Sequence, residues 1–154
     1  MTLPDLAGLL RSLHDGGVRH IVIGGVALAA HGRVRATEDI DFVPDPDREN
    51  LRRLSNVLTT LGASLTLDPS RPFGPGERMA LERGRSLSVS TSLGEIDIVQ
   101  RLPGVPTYHD LEAAAIEDTV FDVPVRVSSR EHLVAMKRAR GSTQDLADLE
   151  ALDT

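Results

Sequence analysis

Two carboxylates, two residues apart, are the feature of this sequence most suited to chemistry. Asp39 and Asp41 lie in the segment Asp39–Val43, where Ile40 and Phe42 alternate with them and predict a β-strand. Side chains alternate across a strand, so the two acids share one face and repel each other. Hard divalent cations such as Mg²⁺ bind one or two carboxylates and leave other positions to water and phosphate oxygens. The pattern therefore predicts a magnesium site.

A third acid repeats this pattern further along the chain. Asp97 lies in Glu95–Val99, a segment in which acids again alternate with aliphatic residues. A lone Asp on a strand is more often simply exposed to solvent. Solvated strands usually carry Thr, Lys or Arg, however, whereas neighbouring acids weaken a sheet unless a cation joins them. We therefore predict that Asp97 shares the metal site of Asp39 and Asp41.

A glycine pair precedes these acids. Gly24 and Gly25 follow the apolar segment His20–Ile23, which predicts a buried strand, and they precede a short predicted helix, Val26–His31. Glycine pairs mostly form turns, but between a strand and a helix they also expose backbone N–H groups to a phosphate. The 13 residues between Gly25 and Asp39 allow the chain to return beside the first strand. A phosphate cradle and the acids can thus be neighbours.

Composition limits the class of protein. The chain has 154 residues, a formal net charge of −6 and no Cys. This length predicts a single domain, residues 1–154, and the absence of Cys excludes disulfides and thiolate metal sites. The acidic balance argues against extensive DNA binding or a broad RNA-binding surface. With no signal-peptide pattern and no apolar run long enough to span a bilayer, we expect a cytoplasmic protein with no membrane association.

Alternating helix and strand patterns predict an α/β or α+β layer fold. The segment 68–76 contains three Pro and two Gly, and we predict a mobile loop that could act as a lid. Ser128-Ser129-Arg130-Glu131 predicts the start of a helix that ends near Arg140, and a last helix follows Gly141. Short antiparallel strands are predicted at Met79–Leu81, Ser86–Ser90 and Glu95–Val99.

Two blocks of residues resemble a known superfamily. Gly24-Gly25 followed by the segment from His31 to Asp41, HGRVRATEDID, resembles the signature of the DNA polymerase β-like nucleotidyltransferases, and in particular the small bacterial AbiEii-type and minimal nucleotidyltransferases related to toxin–antitoxin systems. The C-terminal segments 133–140 and 145–149 are similar to the same proteins. Many members have Gly-Ser where this chain has Gly-Gly, which leaves a phosphate contact to the backbone.

The resemblance implies a nucleotidyltransferase fold, a mixed β-sheet with helices packed around it. It implies transfer of a nucleoside monophosphate from an NTP, ATP among them, to an acceptor hydroxyl, with release of pyrophosphate. Asp39 and Asp41 would hold Mg²⁺, or Mn²⁺, against the triphosphate, and Asp97 would share a metal ion and help to deprotonate or orient the acceptor. Such metal ions can stabilise both the attacking and the leaving oxygen of an in-line displacement.

Basic residues supply the other candidate nucleotide contacts. Lys137 is the single Lys in a chain that otherwise uses Arg, and we predict that it meets the triphosphate, although chance alone could leave one Lys. Arg33 and Arg35 precede the acids and either contact the nucleotide, neutralise the acids or face solvent. Thr37 either caps this loop or contacts a phosphate. The nucleotide-binding candidates are therefore Gly24, Gly25, Arg35, Thr37 and Lys137.

Three functions compete at this stage. The first is a magnesium-dependent nucleotidyltransferase whose acceptor is a tRNA, a protein or a small molecule, with a cognate toxin or antitoxin as a possible protein partner. The second is a catalytically weak or inactive binding protein of the same fold that acts through such a partner. The third, a sugar-nucleotide transferase with an Asp-x-Asp motif, usually needs a longer nucleotide-binding domain than 154 residues provide. The intact acids favour the first.

Overall fold

The structure, a computed structural model, describes residues 4–32 and 37–152. Helices and strands alternate along these residues. The helices are α1 (Leu6–Asp15), α2 (Gly24–Ala30), α3 (Arg48–Thr60), α4 (Pro75–Glu82), α5 (Tyr108–Ala114), α6 (Arg130–Arg140) and α7 (Thr143–Leu152). The strands are β1 (His20–Ile23), β2 (Asp39–Pro44), β3 (Ser64–Leu65), β4 (Asp68–Pro72), β5 (Leu87–Thr91), β6 (Gly94–Ile98), β7 (Ile116–Val120) and β8 (Val123–Val127). None of these helices is both long and apolar enough to cross a membrane.

These strands form one mixed sheet in the order β4-β3-β5-β6-β2-β1-β8-β7. At its centre β2 is antiparallel to β1 and parallel to β6. The parallel register places Asp41 directly beside Asp97, and the antiparallel register places Ile23 on the other side of Asp41. Because residues at the same level of adjacent strands point to the same face, Asp41 and Asp97 share one face. The predicted mixed sheet with helices packed around it is confirmed.

The two faces of the sheet differ in what covers them. On the core face, Ile40, Phe42 and Ile96 are fully buried in a hydrophobic cluster that also contains leucines of α1 and α3. The opposite face carries the three aspartates, and we call it the site face. Ile21 and Ile23 on this face pack in a second cluster with residues of α5 and α6. Helices therefore cover the β1 side of the site face, while the acids and the residues beside them on β5 and β6 are at least partly exposed.

The chain between residues 68 and 82 corrects two predictions. The predicted loop 68–76 contains strand β4, which pairs with β3, and the predicted strand Met79–Leu81 lies inside helix α4. The prolines misled the sequence interpretation, since Pro69 and Pro72 lie on an exposed edge strand, where a missing N–H costs little. Pro75 begins α4, a position that proline favours. This segment is regular structure and supplies no irregular lid.

Buried His20 links folding to pH. Its ring packs edge-on against Phe42 with the ring centroids 5.1 Å apart, and its Nδ1 lies 3.0 Å from the Val18 carbonyl oxygen. Its Nε2 is buried without a hydrogen-bond partner. Burial lowers the pKa of His20 below the ordinary value of 6.5. The native protein therefore holds this ring neutral at pH values where the unfolded chain would protonate it.

We predict that the free energy of unfolding falls as the pH drops below about 6.5, because only the unfolded state then gains a proton at His20. The loss should approach about 1.4 kcal/mol per pH unit until the native pKa is reached. His20→Phe should flatten this dependence, measured by urea unfolding between about pH 5 and 8. His109→Gln, at an exposed histidine, is the control and should retain it. An unchanged slope in His20→Phe would contradict the prediction.

Candidate active site

Three carboxylates meet on the site face. Asp39 and Asp41 come from β2 and Asp97 from β6, and one carboxylate oxygen of each lies within 4.8 Å of the other two. All three side chains are partly buried. The parallel pairing of the two strands creates this arrangement, since it sets Asp41 opposite Asp97 and Asp39 opposite Glu95. The three acids predicted from the sequence are therefore neighbours on one face.

Their electrostatics are unfavourable without a cation. Burial raises the pKa of Asp41 to about 8, and its hydrogen bond with Asp97 and the charges of Asp39 and Asp97 act in the same direction. Burial and the charge of Asp97 also raise the pKa of Asp39. When a carboxyl group holds a proton near neutral pH, a divalent ion can displace that proton and bind in its place. Three oxygen donors, partly buried and mutually repelling, suit a hard cation such as Mg²⁺.

Gly24 provides room for the Asp41 carboxylate. Its backbone has a φ of +73°, in the left-handed region, and a Cβ there would lie 2.2 Å from Asp41 Oδ2. A Cβ on Gly25 would lie 3.0 Å from the Thr37 side chain. The glycine pair begins α2 immediately after β1, so the predicted helix starts two residues earlier than expected. Its position beside the acids agrees with the close approach inferred from the sequence.

Thr37 orients one of the acids. Its hydroxyl lies 3.1 Å from the Asp39 carbonyl oxygen and 3.3 Å from Asp39 Oδ1, within hydrogen-bonding distance of both. This contact lowers the pKa of Asp39 against the effects of burial and Asp97. The structure thus places Thr37 at the site, between Gly25 and Asp39. Arg33 and Arg35 lie outside the described residues, and the nucleotide contact of Arg35 stays a prediction.

Lys137 already has two partners. Its Nζ lies 3.2 Å from Asp145 Oδ1 and 3.0 Å from Asp148 Oδ2, and the side chain is only 8% exposed. Both acids are buried, and together they neutralise Lys137. The predicted contact of Lys137 with a triphosphate remains a prediction, and it would require that ammonium group to serve a third anion.

The charge of Arg140 acts on Asp41, an effect that the sequence reasoning missed. Arg140 ends α6 one turn after Met136, which packs in the cluster of Ile21 and Ile23 on the site face. Its positive charge lowers the pKa of Asp41, against the larger effects that raise it. The sequence signal for Arg140 was its position three residues after Lys137, the single Lys of the chain, on the same helix.

Comparison with known families identifies the chain. Residues 8–152 match the family model described as "Nucleotidyl transferase AbiEii toxin, Type IV TA system". The chain belongs to the AbiEii nucleotidyltransferase family. The match includes the glycine pair, all three aspartates and the segment from Lys137 to Asp148. The resemblance inferred from the sequence is confirmed, and this AbiEii-family chain is an enzyme of the nucleotidyltransferase class.

Solved structures share the fold of this AbiEii-family chain at low identity. The lincosamide antibiotic adenylyltransferase LnuA, bound to lincomycin, is 16% identical, with a TM-score of 0.66 over 97% of this chain and 95% of that chain. ANT(2'')-Ia in complex with adenylyl-2''-tobramycin is 14% identical, with a TM-score of 0.59 over 96% and 84%. A Thermotoga maritima protein described as a nucleotidyltransferase is 15% identical, with a TM-score of 0.54 over 99% and 91%. Comparison with curated protein sequences gives no match.

We predict that Gly24→Ala weakens Mn²⁺ binding at least tenfold, because the new Cβ would displace the Asp41 carboxylate. Gly32→Ala is a matched control, since Gly32 has a φ of +82° but a Cβ there meets nothing within 4 Å. Both variants should lose roughly 1–2 kcal/mol of stability from backbone strain. Isothermal titration with Mn²⁺ should separate them. Equal metal affinity in the two variants would show that Gly24 is needed only for its backbone conformation.

Metal affinity should depend on pH. Below the Asp41 pKa of about 8, a divalent ion has to displace a proton from the acids. We expect the Mn²⁺ association constant to rise by up to about tenfold per unit as the pH rises toward that pKa and to level off above it. Titrations at several pH values would measure the slope, and Asp41→Asn should flatten it. A constant affinity in the unaltered protein would contradict the assigned protonation.

We predict that Lys137→Met lowers the free energy of unfolding by about 3–5 kcal/mol, because two buried carboxylates lose their shared cation. Arg138→Met, at an exposed position on the same helix, should have little effect. Denaturant unfolding gives the comparison. The opposite pattern, unchanged stability with loss of nucleotide binding, would favour the direct nucleotide contact predicted from the sequence.

Proposed function

We propose that this protein transfers a nucleoside monophosphate from a magnesium-bound NTP, with ATP the first candidate, to an acceptor hydroxyl. The observation that carries the proposal is the group of three carboxylates, held within 4.8 Å of one another on adjacent strands. Because the described part of the chain brings no Lys or Arg into an ion pair with these acids, a bound cation is the natural partner for their charge. The family match supports the reaction class.

The proposed role of each site residue follows from its position. Asp39 and Asp41 would hold Mg²⁺, which when bound polarises the phosphate oxygens and neutralises charge at the transferring phosphorus. Thr37 fixes the Asp39 side chain by hydrogen bonding, and Gly24 leaves the space that the Asp41 carboxylate occupies. Asp97 stands furthest from the glycine pair across the sheet and would orient the acceptor hydroxyl. Phosphoryl transfer requires mainly such positioning and charge neutralisation.

The acceptor would approach over β5 and β6. Ser88 pairs with Asp97, and Ser90 pairs with Glu95, so all four residues point to the site face. Ser88 and Glu95 are exposed, and Ser90 is partly exposed. Helices cover the β1 side of this face instead. In an in-line displacement the acceptor enters opposite the leaving pyrophosphate, which favours this open side if the triphosphate lies toward the glycine pair.

The charge of this open side favours a small acceptor that carries an amine. Glu95 adds a carboxylate beside the three acids, and the whole chain has a net charge of −6. Such a surface attracts a cation and repels the phosphates of a tRNA. The fold is shared by proteins whose structures contain lincomycin and adenylyl-2''-tobramycin. A protein hydroxyl and a tRNA end remain alternatives, and the family suggests a toxin–antitoxin partner and a cytoplasmic location.

The test incubates the protein with each α-labelled NTP, Mg²⁺ and one acceptor at a time: tobramycin, lincomycin, total tRNA or a cell extract. We expect label transfer and pyrophosphate release with one NTP, and a loss of at least about a hundredfold in Asp39→Asn and Asp41→Asn. Asp118→Asn, at an exposed aspartate of β7, is the control. Transfer only to tRNA or protein would replace the acceptor assignment. NTP binding without transfer in every reaction would favour the non-catalytic binding protein.

A further inference from the structure

A cavity of about 290 Å³ lies where β2 and β6 end, further along the two strands that carry the aspartates. Val43 and Val99 line it. Val43 follows Asp41 by two residues, so it points to the site face about 7 Å further along β2. The Val99 backbone N–H donates to the Phe42 carbonyl oxygen at 2.9 Å, which continues the pairing of β6 with β2 and sets Val99 beside Val43. The cavity therefore adjoins the site face one pair of residues beyond Asp41 and Asp97.

The size and the walls of this cavity suit a single ring system. Its volume is at the small end of the range for ligand sites, about 300–1,000 Å³. Half of the residues that line it are valine, leucine or proline, and Leu51 and Val105 are among them. Apolar walls cannot replace the hydration of a charged phosphate chain, whereas a neutral ring loses little by entering them. The cavity therefore suits a flat heterocycle better than a chain of phosphates.

Gln100 supplies a fixed hydrogen-bond acceptor in the cavity wall. The residue is only 8% exposed, and its side-chain Nε2 donates to the carbonyl oxygens of Leu81 at 3.2 Å and Arg85 at 2.9 Å. These two bonds hold the amide plane and identify its other end as the oxygen. No donor in residues 4–32 or 37–152 meets Gln100 Oε1. A ligand N–H can therefore supply the hydrogen bond that this oxygen lacks.

Arg101, which also lines the cavity, holds its guanidinium group flat over Gly84. A Cβ on Gly84 would lie 2.8 Å from Nε, 2.9 Å from Cζ and 3.2 Å from Nη2, and such similar distances place it over the face of the guanidinium group rather than at its edge. The Arg101 backbone has a φ of +51°, a left-handed conformation that residues with a side chain rarely adopt. Such conformations persist where the surrounding structure holds them, and they cluster at ligand sites. Because Arg101 is otherwise exposed, the opposite face of the group is available for stacking.

The geometry of an in-line displacement favours this direction for the nucleoside. In the proposed function, pyrophosphate leaves toward the glycine pair and the acceptor enters over β5 and β6, so both lie across the strands. The ribose is attached to the same phosphorus off that line, and it has to extend along the strands or away from the sheet. Toward the start of β2 and β6, Glu38 and Glu95 line a smaller and more polar hollow. Toward the end of these strands lies the apolar cavity.

We infer that this cavity binds the base of the NTP, with the base stacked on the Arg101 guanidinium group and an amine of the base donating to Gln100 Oε1. The inference rests on the proposed function and adds a base-binding site to it. Planar guanidinium groups stack on nucleobases, and amide oxygens accept hydrogen bonds from amines. Adenine and cytosine carry an exocyclic amine where uracil presents an oxygen. ATP and CTP should therefore bind more tightly than UTP.

The test measures equilibrium binding of α,β-methylene-ATP, which cannot transfer its nucleotide, and of tripolyphosphate, which has no base, both with Mg²⁺. Arg101→Ala should weaken binding of the ATP analogue about tenfold or more and leave tripolyphosphate binding unchanged. Arg101→Lys should lose as much, because an ammonium group keeps the charge but has no flat face. Arg83→Ala, at an exposed arginine outside the cavity, is the control and should bind both ligands like the unaltered protein.

A second pair of variants moves the guanidinium group without removing it. Gly84→Ala introduces a Cβ where that group lies, so it should weaken binding of the ATP analogue but not of tripolyphosphate. Gly62→Ala is its matched control, since Gly62 has a φ of +65° against +80° at Gly84 and a Cβ there meets nothing within 4 Å. The corresponding UTP analogue should bind the unaltered protein about tenfold more weakly than the ATP analogue. Circular dichroism would confirm that each variant is folded.

The outcomes separate this inference from the proposed function. If Arg101→Ala binds the ATP analogue as tightly as the unaltered protein, while Asp41→Asn does not, the cavity is not the base site but the nucleotidyltransferase proposal stands. Equal losses for the ATP analogue and for tripolyphosphate would show a phosphate contact or a general structural effect and would overturn the inference. Equal affinity for the ATP and UTP analogues would overturn the contact assigned to Gln100. If the unaltered protein binds no nucleotide with Mg²⁺, the proposed function and the inference fail together.

Discussion

Repulsion among three carboxylates is the constraint around which the site is arranged. The parallel register of β2 and β6 forces Asp41 and Asp97 to the same level of the same face, and alternation along β2 adds Asp39. The opposite side of these strands is fully buried, with Ile40, Phe42 and Ile96 at its centre. A slip of one residue would bury the acids and expose the apolar residues. The core therefore holds the acids together although they repel one another.

The protein contains two clusters of acidic side chains whose charges are balanced in different ways. This contrast indicates their roles. Asp145 and Asp148 share Lys137, and hydrogen bonds from neighbouring polar groups complete their shells. Such a cluster has its charges balanced by the protein itself, and losing one member leaves the others buried and unpaired. On β2, by contrast, Asp39 and Asp41 have raised pKa values, and Thr37 donates a hydroxyl hydrogen bond to Asp39 alone. The first cluster stabilises the fold, whereas the charges of the second suit the metal ion that we propose it binds.

The sequence allowed the acids and their shared face to be predicted, because strand alternation is a local property. Asp39 and Asp41 follow directly from it, and Asp97 followed once a second alternating segment was matched to the first. The partners of Lys137 could not be found in this way, since they lie across the turn at Gly141 and become neighbours only when α7 packs against α6. The prediction of a loop at the proline-rich segment 68–76 was wrong for another reason, because proline weakens a central strand but not an edge strand.

We expect residues other than the three acids to determine which acceptor the protein uses. Proteins that share this fold at 14–16% identity include structures with lincomycin and with adenylyl-2''-tobramycin, so a common fold accommodates different acceptors. The chemistry that we propose at the three acids can stay the same because it acts on the phosphates of the NTP, whatever the acceptor. The residues that distinguish one acceptor from another must contact the acceptor directly. In this chain we propose that place for Ser88, Ser90 and Glu95. The serine hydroxyls can hydrogen-bond to an acceptor hydroxyl, and the Glu95 carboxylate can pair with an amine and repels a phosphate backbone.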